Sequence, residues 1–182
     1  METSGNWITL TTTVSKLTSY SPDQYLLKNS YQWDKQPGYN LRDATGIAAP
    51  DVLTPIQDSE YFKQTASKYD AYYNYEGTKT EYVWSAQDKT GGMGFEFNLF
   101  PDRWYDTATA ESFHLRNHRG FSVYRAVWAN TSQTSTSITG GYIHTEQSYS
   151  GSLGVAVNGV SLSISANISK TPATETGVSF QR

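Results

Sequence analysis

The stretch "FHLRNHRG" sets His114 and His118 four residues apart, the spacing of a metal-binding pair on a helix, and His144 could complete a set of three ligands. No apolar helical period surrounds the pair. On a strand, residues four apart lie about 13 Å from one another, so exposed or hydrogen-bonded histidines without zinc are the expectation. Loop carboxylates offer a second chemistry. Asp102, Asp106 and Glu111 in "PDRWYDTATAE" are calcium candidates through their oxygen atoms, although no EF-hand spacing accompanies them and solvated loop charge is the expected role. Glu96 lies in mid-strand in "GFEFNLF" and would need a second carboxylate to work as a glycosidase acid or nucleophile. No G-x-S-x-G, Walker loop or H-E-x-x-H is present, and "GGMGFEF" lacks the third fingerprint glycine. The sequence reads as that of a non-enzyme with no cofactor, calcium apart.

Aromatic side chains are the third chemistry, because flat rings stack on sugar faces. Of the five tryptophans, Trp104 with Tyr105, and the nearby run Tyr72, Tyr73 and Tyr75, are the candidate glycan-binding residues. Core burial accounts for most aromatics of a β-protein. The remaining candidate is a surface: "GVAVNGVSLSISANIS" reads as a hairpin about Asn158-Gly159, the pair preferred in a two-residue type I′ turn. That turn would place Val157 opposite Val160, Val155 opposite Leu162 and Leu153 opposite Ile164. The other face, Gly154, Ala156, Ser161, Ser163 and Ser165, carries no charge and no large side chain, and is the candidate assembly face.

The elements that would position these groups are strands. "WITLTTTV" and "YLLKNSYQW" alternate apolar and polar residues on either side of Ser21-Pro22-Asp23, so residues 7 to 33 form a hairpin. At most one short helix is expected, near Asp58 to Tyr69 in the punctuated middle, where Ser59 could cap it. A second hairpin is expected from "YDAYYNYEG" and "TKTEYVW" on either side of Gly77. "GFSVYRAVW" is apolar on both faces, which predicts a central or doubly covered strand, and "GVSF" is a candidate last edge strand. The fold class expected is all-β, a single antiparallel β-sandwich or barrel of about eight to ten strands over residues 1–182, with 1–5 a flexible or processed start.

"YQWDKQPGYNLRDATGIA" contains Tyr31, Trp33, Pro37, Arg42, Asp43, Gly46 and Ile47. It resembles a stretch in secreted β-rich proteins of Gram-positive bacteria. The resemblance implies secretion and no particular activity.

Composition agrees with an extracellular or cell-surface setting. Charged residues are 17% of the 182, against roughly 25% in ordinary domains, and hydroxyl and aromatic residues supply the polarity instead. A net charge of -3 excludes an overall basic footprint for nucleic acid or for a membrane surface. No cysteine is present, and no run is apolar and long enough for a transmembrane segment. Three function classes remain. A structural or adhesive subunit that associates with copies of itself, into a matrix or fibre, ranks first. A module for cell-wall or extracellular glycans is the alternative. A pore-forming protein ranks last, because the greasy part of the 154–169 hairpin is about five residues per arm, short of the nine to eleven a membrane strand needs.

Overall fold

The structure, a computed structural model, describes all residues except 1, 5, 6, 39, 40, 88, 90, 130, 131, 149, 159, 160, 172 and 173. The chain runs through β1 (Glu2–Ser4), β2 (Ile8–Leu17), β3 (Gln24–Trp33), β4 (Arg42–Ala48) and β5 (Leu53–Pro55). It continues with β6 (Tyr61–Tyr69), β7 (Tyr75–Val83), β8 (Gly92–Asn98), β9 (Arg103–Asp106) and β10 (Glu111–Trp128). The last strands are β11 (Ser135–Ile143), β12 (Val155–Val157), β13 (Leu162–Ile164) and β14 (Thr174–Gln181). Fourteen strands exceed the eight to ten expected, because β1, β5, β9, β12 and β13 are only three or four residues long. No helix occurs among the described residues, so none crosses a membrane.

Two antiparallel sheets make the sandwich. The larger has eight strands along the path β1-β2-β3-β10-β6-β7, with β5 and β9 also paired to β10. The smaller follows β14-β11-β4-β8. Alternation sorts the side chains: Leu10, Leu27, Tyr31, Phe62 and Tyr124 of the large sheet meet Ile47, Phe95, Phe97, Ile138 and Tyr142 of the small one. The N-terminal hairpin forms as expected, with Leu10 opposite Tyr31. Residues 2–4, expected within a flexible start, pair with β2. The central position of "GFSVYRAVW" also holds, since β10 lies between β3 and β6.

A polar knot crosses this interior. The Asn29 amide donates to Thr45 Oγ1 (3.3 Å) and to the Gly141 carbonyl (3.1 Å), while Thr12 Oγ1 donates to Asn29 Oδ1 (3.2 Å). Glycine is required at 140, because a Cβ there would lie 2.3 Å from both Asn29 Oδ1 and Thr12 Oγ1. Fully bonded buried polar groups of this kind fix one registration of the sheets, since leaving any of them unpaired costs about 1–3 kcal/mol.

Three local expectations are corrected. The one short helix allowed near Asp58 to Tyr69 does not form: residues 61–69 are strand β6, because Phe62, Gln64 and Ala66 are buried at a period of two, and Ser59 instead bonds Ile56 and Arg125. The expected hairpin about Gly77 is a hairpin about residues 70–74. The Asp70 carboxylate accepts the Tyr72 and Asn74 amides there, both at 2.8 Å, and Tyr73 takes a left-handed φ of 62°. In the hairpin after residue 153, Val155 lies opposite Ile164 and Val157 opposite Leu162. The loop therefore holds four residues rather than two, and Asn158 Oδ1 accepts the Ser161 amide at 3.0 Å. Gly159 and Val160, assigned to the turn and to the aliphatic row, lie outside the described residues. Because the register moves by two, the faces are unchanged.

Candidate functional site

The aliphatic row of β12 and β13 covers the outside of the small sheet. Leu153, Val155, Val157, Leu162 and Ile164 pack on Ala44, Ala48 and Ile143, forming a third layer. Small residues on the sheet let it approach, since a Cβ at Gly46 or Gly141 would meet Leu162 at 3.1 and 2.9 Å. Glu96 ties the layer down. Its Oε1 pairs with Arg42 at 2.9 Å, and its Oε2 accepts from Ser152 Oγ (3.0 Å) and the Leu153 amide (2.8 Å). Of the candidate assembly face, Ala156, Ser163 and Ser165 are exposed and Gly154 and Ser161 half-buried.

Among the described residues, the outside of the large sheet carries no such layer. The register places Thr9, Gln32, Arg119 and Thr65 in one row across β2, β3, β10 and β6, and Thr11, Ser30, Phe121 and Lys63 in the next. These rows line a groove of about 520 Å³. A bulge sets this arrangement. Arg116 pairs with Ser67 and Arg119 with Thr65, so β10 holds one extra residue, and Asn117 adopts a left-handed φ of 54°. The extra residue turns His118 inward and Arg119 and Phe121 outward.

Beside the groove runs an aromatic strip that sequence reasoning missed. Tyr82 and Trp84 stack at 5.2 Å and 10° between planes, and both are exposed, Trp84 at 69%. Tyr61 joins them to Phe121, with ring centroids 5.5 Å from Trp84 and 5.6 Å from Phe121. Lys28 sits 4.4 Å from the Phe121 ring and Lys63 5.4 Å from the Tyr82 ring. Tyr82 and Trp84 are two apart and must share a face, which the sequence does show. Their neighbours Tyr61 and Phe121 come from other segments, and only strand pairing reveals them.

The sequence-predicted aromatics gather at the far end of the large sheet, around the β6–β7 turn and the β9–β10 hairpin. Trp104 and Tyr105 are consecutive in β9 and point to opposite faces, so they do not form one platform. Lys79 already covers Trp104, 3.9 Å from its ring, and Phe113 lies 5.9 Å away. Tyr73 stacks on His114 at 4.8 Å and Tyr75 meets Tyr69 edge-on at 5.8 Å. Tyr72 lies on the turn, 87% exposed.

The remaining candidates form no common site among the described residues. Asp102 accepts from Gln36, Asp106 caps the Ala108 amide at 3.0 Å, and Glu111 pairs with Asp106 only as the last rung of the β9–β10 ladder. No group of three or more His, Cys, Asp or Glu that could hold a metal occurs among the described residues. His118 is buried beside Gln36, 3.1 Å away, and burial lowers its pKa to about 4. His144 directly follows β11 of the other sheet, its Nδ1 3.0 Å from Asp43, whose carboxylate also accepts from Tyr142 (2.5 Å) and from the Thr145 amide (3.2 Å). Burial raises the pKa of Asp43, and the bonds from His144, Tyr142 and Thr145 oppose the rise. Trp33 Nε1 donates to Tyr142 at 3.2 Å, so this cluster joins the two sheets in the interior.

Neither a family model nor a curated protein matches the chain. Among solved structures, one described as a pore forming protein matches over 100% of this chain and 89% of its own, at 9% identity and a TM-score of 0.39. So loose a likeness carries no argument about function.

Proposed function

We propose that this chain is a non-catalytic carbohydrate-binding module that acts outside the cell, with the open face of its large sheet as the binding face. The observation that carries this reading is the exposed Tyr82–Trp84 stack running into a groove walled by hydroxyls and amides. Sugar recognition needs both parts. A flat apolar ring covers the C–H face of a pyranose, and nearby Thr, Ser and Gln groups exchange hydrogen bonds with its hydroxyls. Thr9, Thr11, Ser30, Gln32 and Thr65 supply the second part within the same groove. The far-end tyrosines are exposed too, but their rings are dispersed around turns, and the one tryptophan among them is covered by Lys79.

Screening the protein on a glycan array, with Trp84→Ala and Tyr82→Ala beside it, tests the reading. Both variants should lose the signal while melting as the wild type does, and Tyr72→Ala and Tyr105→Ala should keep it. Wild-type binding by Trp84→Ala would overturn the proposal.

Self-association is the second reading, favoured by the exposed, charge-free row of Ala156, Ser163 and Ser165. A lysine at the centre of a dry contact is costly, whereas water accepts it. If copies meet there, Ser163→Lys should lower the solution mass without unfolding the chain. An unchanged mass would remove this reading.

A further inference from the structure

We infer that the glycan bound by this face is anionic, with carboxylate or sulfate groups seated between Lys63 and Arg119. The inference rests on the carbohydrate reading above and adds the chemical class of the sugar. Lys63 and Arg119 line the groove, and Lys28 stands next to it over Phe121. The four ion pairs among the described residues are Lys16–Asp23, Arg42–Glu96, Lys89–Glu60 and His144–Asp43. None involves the three cations of this face. The chain as a whole carries a net charge of -3, so three cations outside these ion pairs are a local departure from its average, with the Asp34 carboxylate held at the groove's edge by Thr9 Oγ1 at 3.0 Å.

Position matters as much as sign. Phe121 and Lys63 are cross-strand partners, as are Lys63 and Tyr82, and Lys28 lies over the Phe121 ring, so both lysines lie beside rings rather than on a separate patch. Arg119 is held in place by its bond to the Asn117 carbonyl at 2.9 Å, which orients the guanidinium at the bulge. A neutral sugar would need hydroxyl partners alone and would leave these cations without a counter-charge. An acidic sugar satisfies both the rings and the cations, because Arg and Lys bind carboxylate and sulfate oxygens by charge-assisted hydrogen bonds.

The test is affinity electrophoresis or calorimetry with polymers matched except for charge. The pairs are polygalacturonate with its methyl ester, and dextran sulfate with dextran, and poly-glutamate serves as an anion without sugar. The inference predicts retention by at least one charged polysaccharide, at least about tenfold tighter than by its neutral partner and weakened by salt. Which pair shows it distinguishes carboxylate from sulfate. Lys63→Gln with Arg119→Gln should remove the preference, and Trp84→Ala should weaken charged and neutral binding alike. Equal binding to charged and neutral members, a preference untouched in the double variant, or retention by no charged polysaccharide would each overturn the anionic assignment. If Trp84→Ala still loses binding to a neutral polymer, the carbohydrate reading survives that failure. Equal retention by poly-glutamate, or charged binding indifferent to Trp84→Ala, would overturn both.

Discussion

The two outer faces of this sandwich have opposite chemistry. On the small sheet, β4 presents Ala44, Gly46 and Ala48, and the chain's own β12–β13 hairpin lies on them. On the large sheet, β3, β10 and β6 present Ser30 and Gln32, Arg119 and Phe121, and Lys63 and Thr65, and no segment among the described residues is layered over them. Small side chains mark the face the protein closes for itself, because only they admit a second backbone and its leucine. Hydroxyls, cations and half-exposed rings mark the face it leaves to water or to a partner. The difference predicts where mutations act: on folding at the closed face, on binding at the open one.

The largest effect is expected at the closed face. Leu162→Ala should cost about 2–5 kcal/mol in denaturant unfolding, from lost burial and an unfilled space above Gly46 and Gly141. A cost well under 1 kcal/mol would mean that the hairpin does not seal the sheet.

Next comes acid sensitivity at the bulge that aims Arg119 and Phe121 outward. The unfolded chain protonates His118 near pH 6.5, the folded chain only near 4. Between those values the unfolded state takes up the proton first, so stability falls as pH drops, by about 3 kcal/mol over the window. In His118→Gln this part of the fall should vanish, whatever the stability of the variant at pH 8. A wild-type slope in the variant would contradict the burial described here.

Glu96→Gln loosens the clasp on the hairpin and should cost about 1–3 kcal/mol, as expected for charge-assisted bonds that are largely buried. Thermal melts of this variant and of Arg42→Gln should show similar losses, with a double variant less than additive. At the other end of the scale, Trp84→Ala and Ser163→Lys should each change stability by no more than about 0.5 kcal/mol. A large loss from Trp84→Ala would place that ring in a packed core rather than on an open face.

Much of the closed face was legible in the sequence, and little of the open one. Alternation within each arm of the hairpin identifies the buried row, because the parity of each arm survives a register error of two. The register itself depends on Leu162 seating over Gly46 and Gly141, a contact between distant segments. The strand β6 carries Gln64 in its buried row, and the Nε2 of Gln64 donates to Glu81 and the Asn98 carbonyl, again distant partners that the local pattern does not show. Trp104 and Tyr105 attracted notice by adjacency, yet adjacency on a strand puts two side chains on opposite faces. The strip is hidden for the complementary reason: Tyr61, Phe121 and the Tyr82–Trp84 pair are far apart in the chain and become neighbours only through pairing of β10, β6 and β7.

The central claim, that the open face of the large sheet is the binding face, is tested most directly by hydroxyl-radical footprinting with and without a saturating retained polysaccharide. Tyr82, Trp84 and Phe121 should become protected, while Tyr72, Tyr105 and the residues of the β12–β13 hairpin react as in the free protein. Protection confined to Tyr72 and Tyr105, or to the hairpin, with Tyr82 and Trp84 unchanged, would contradict it.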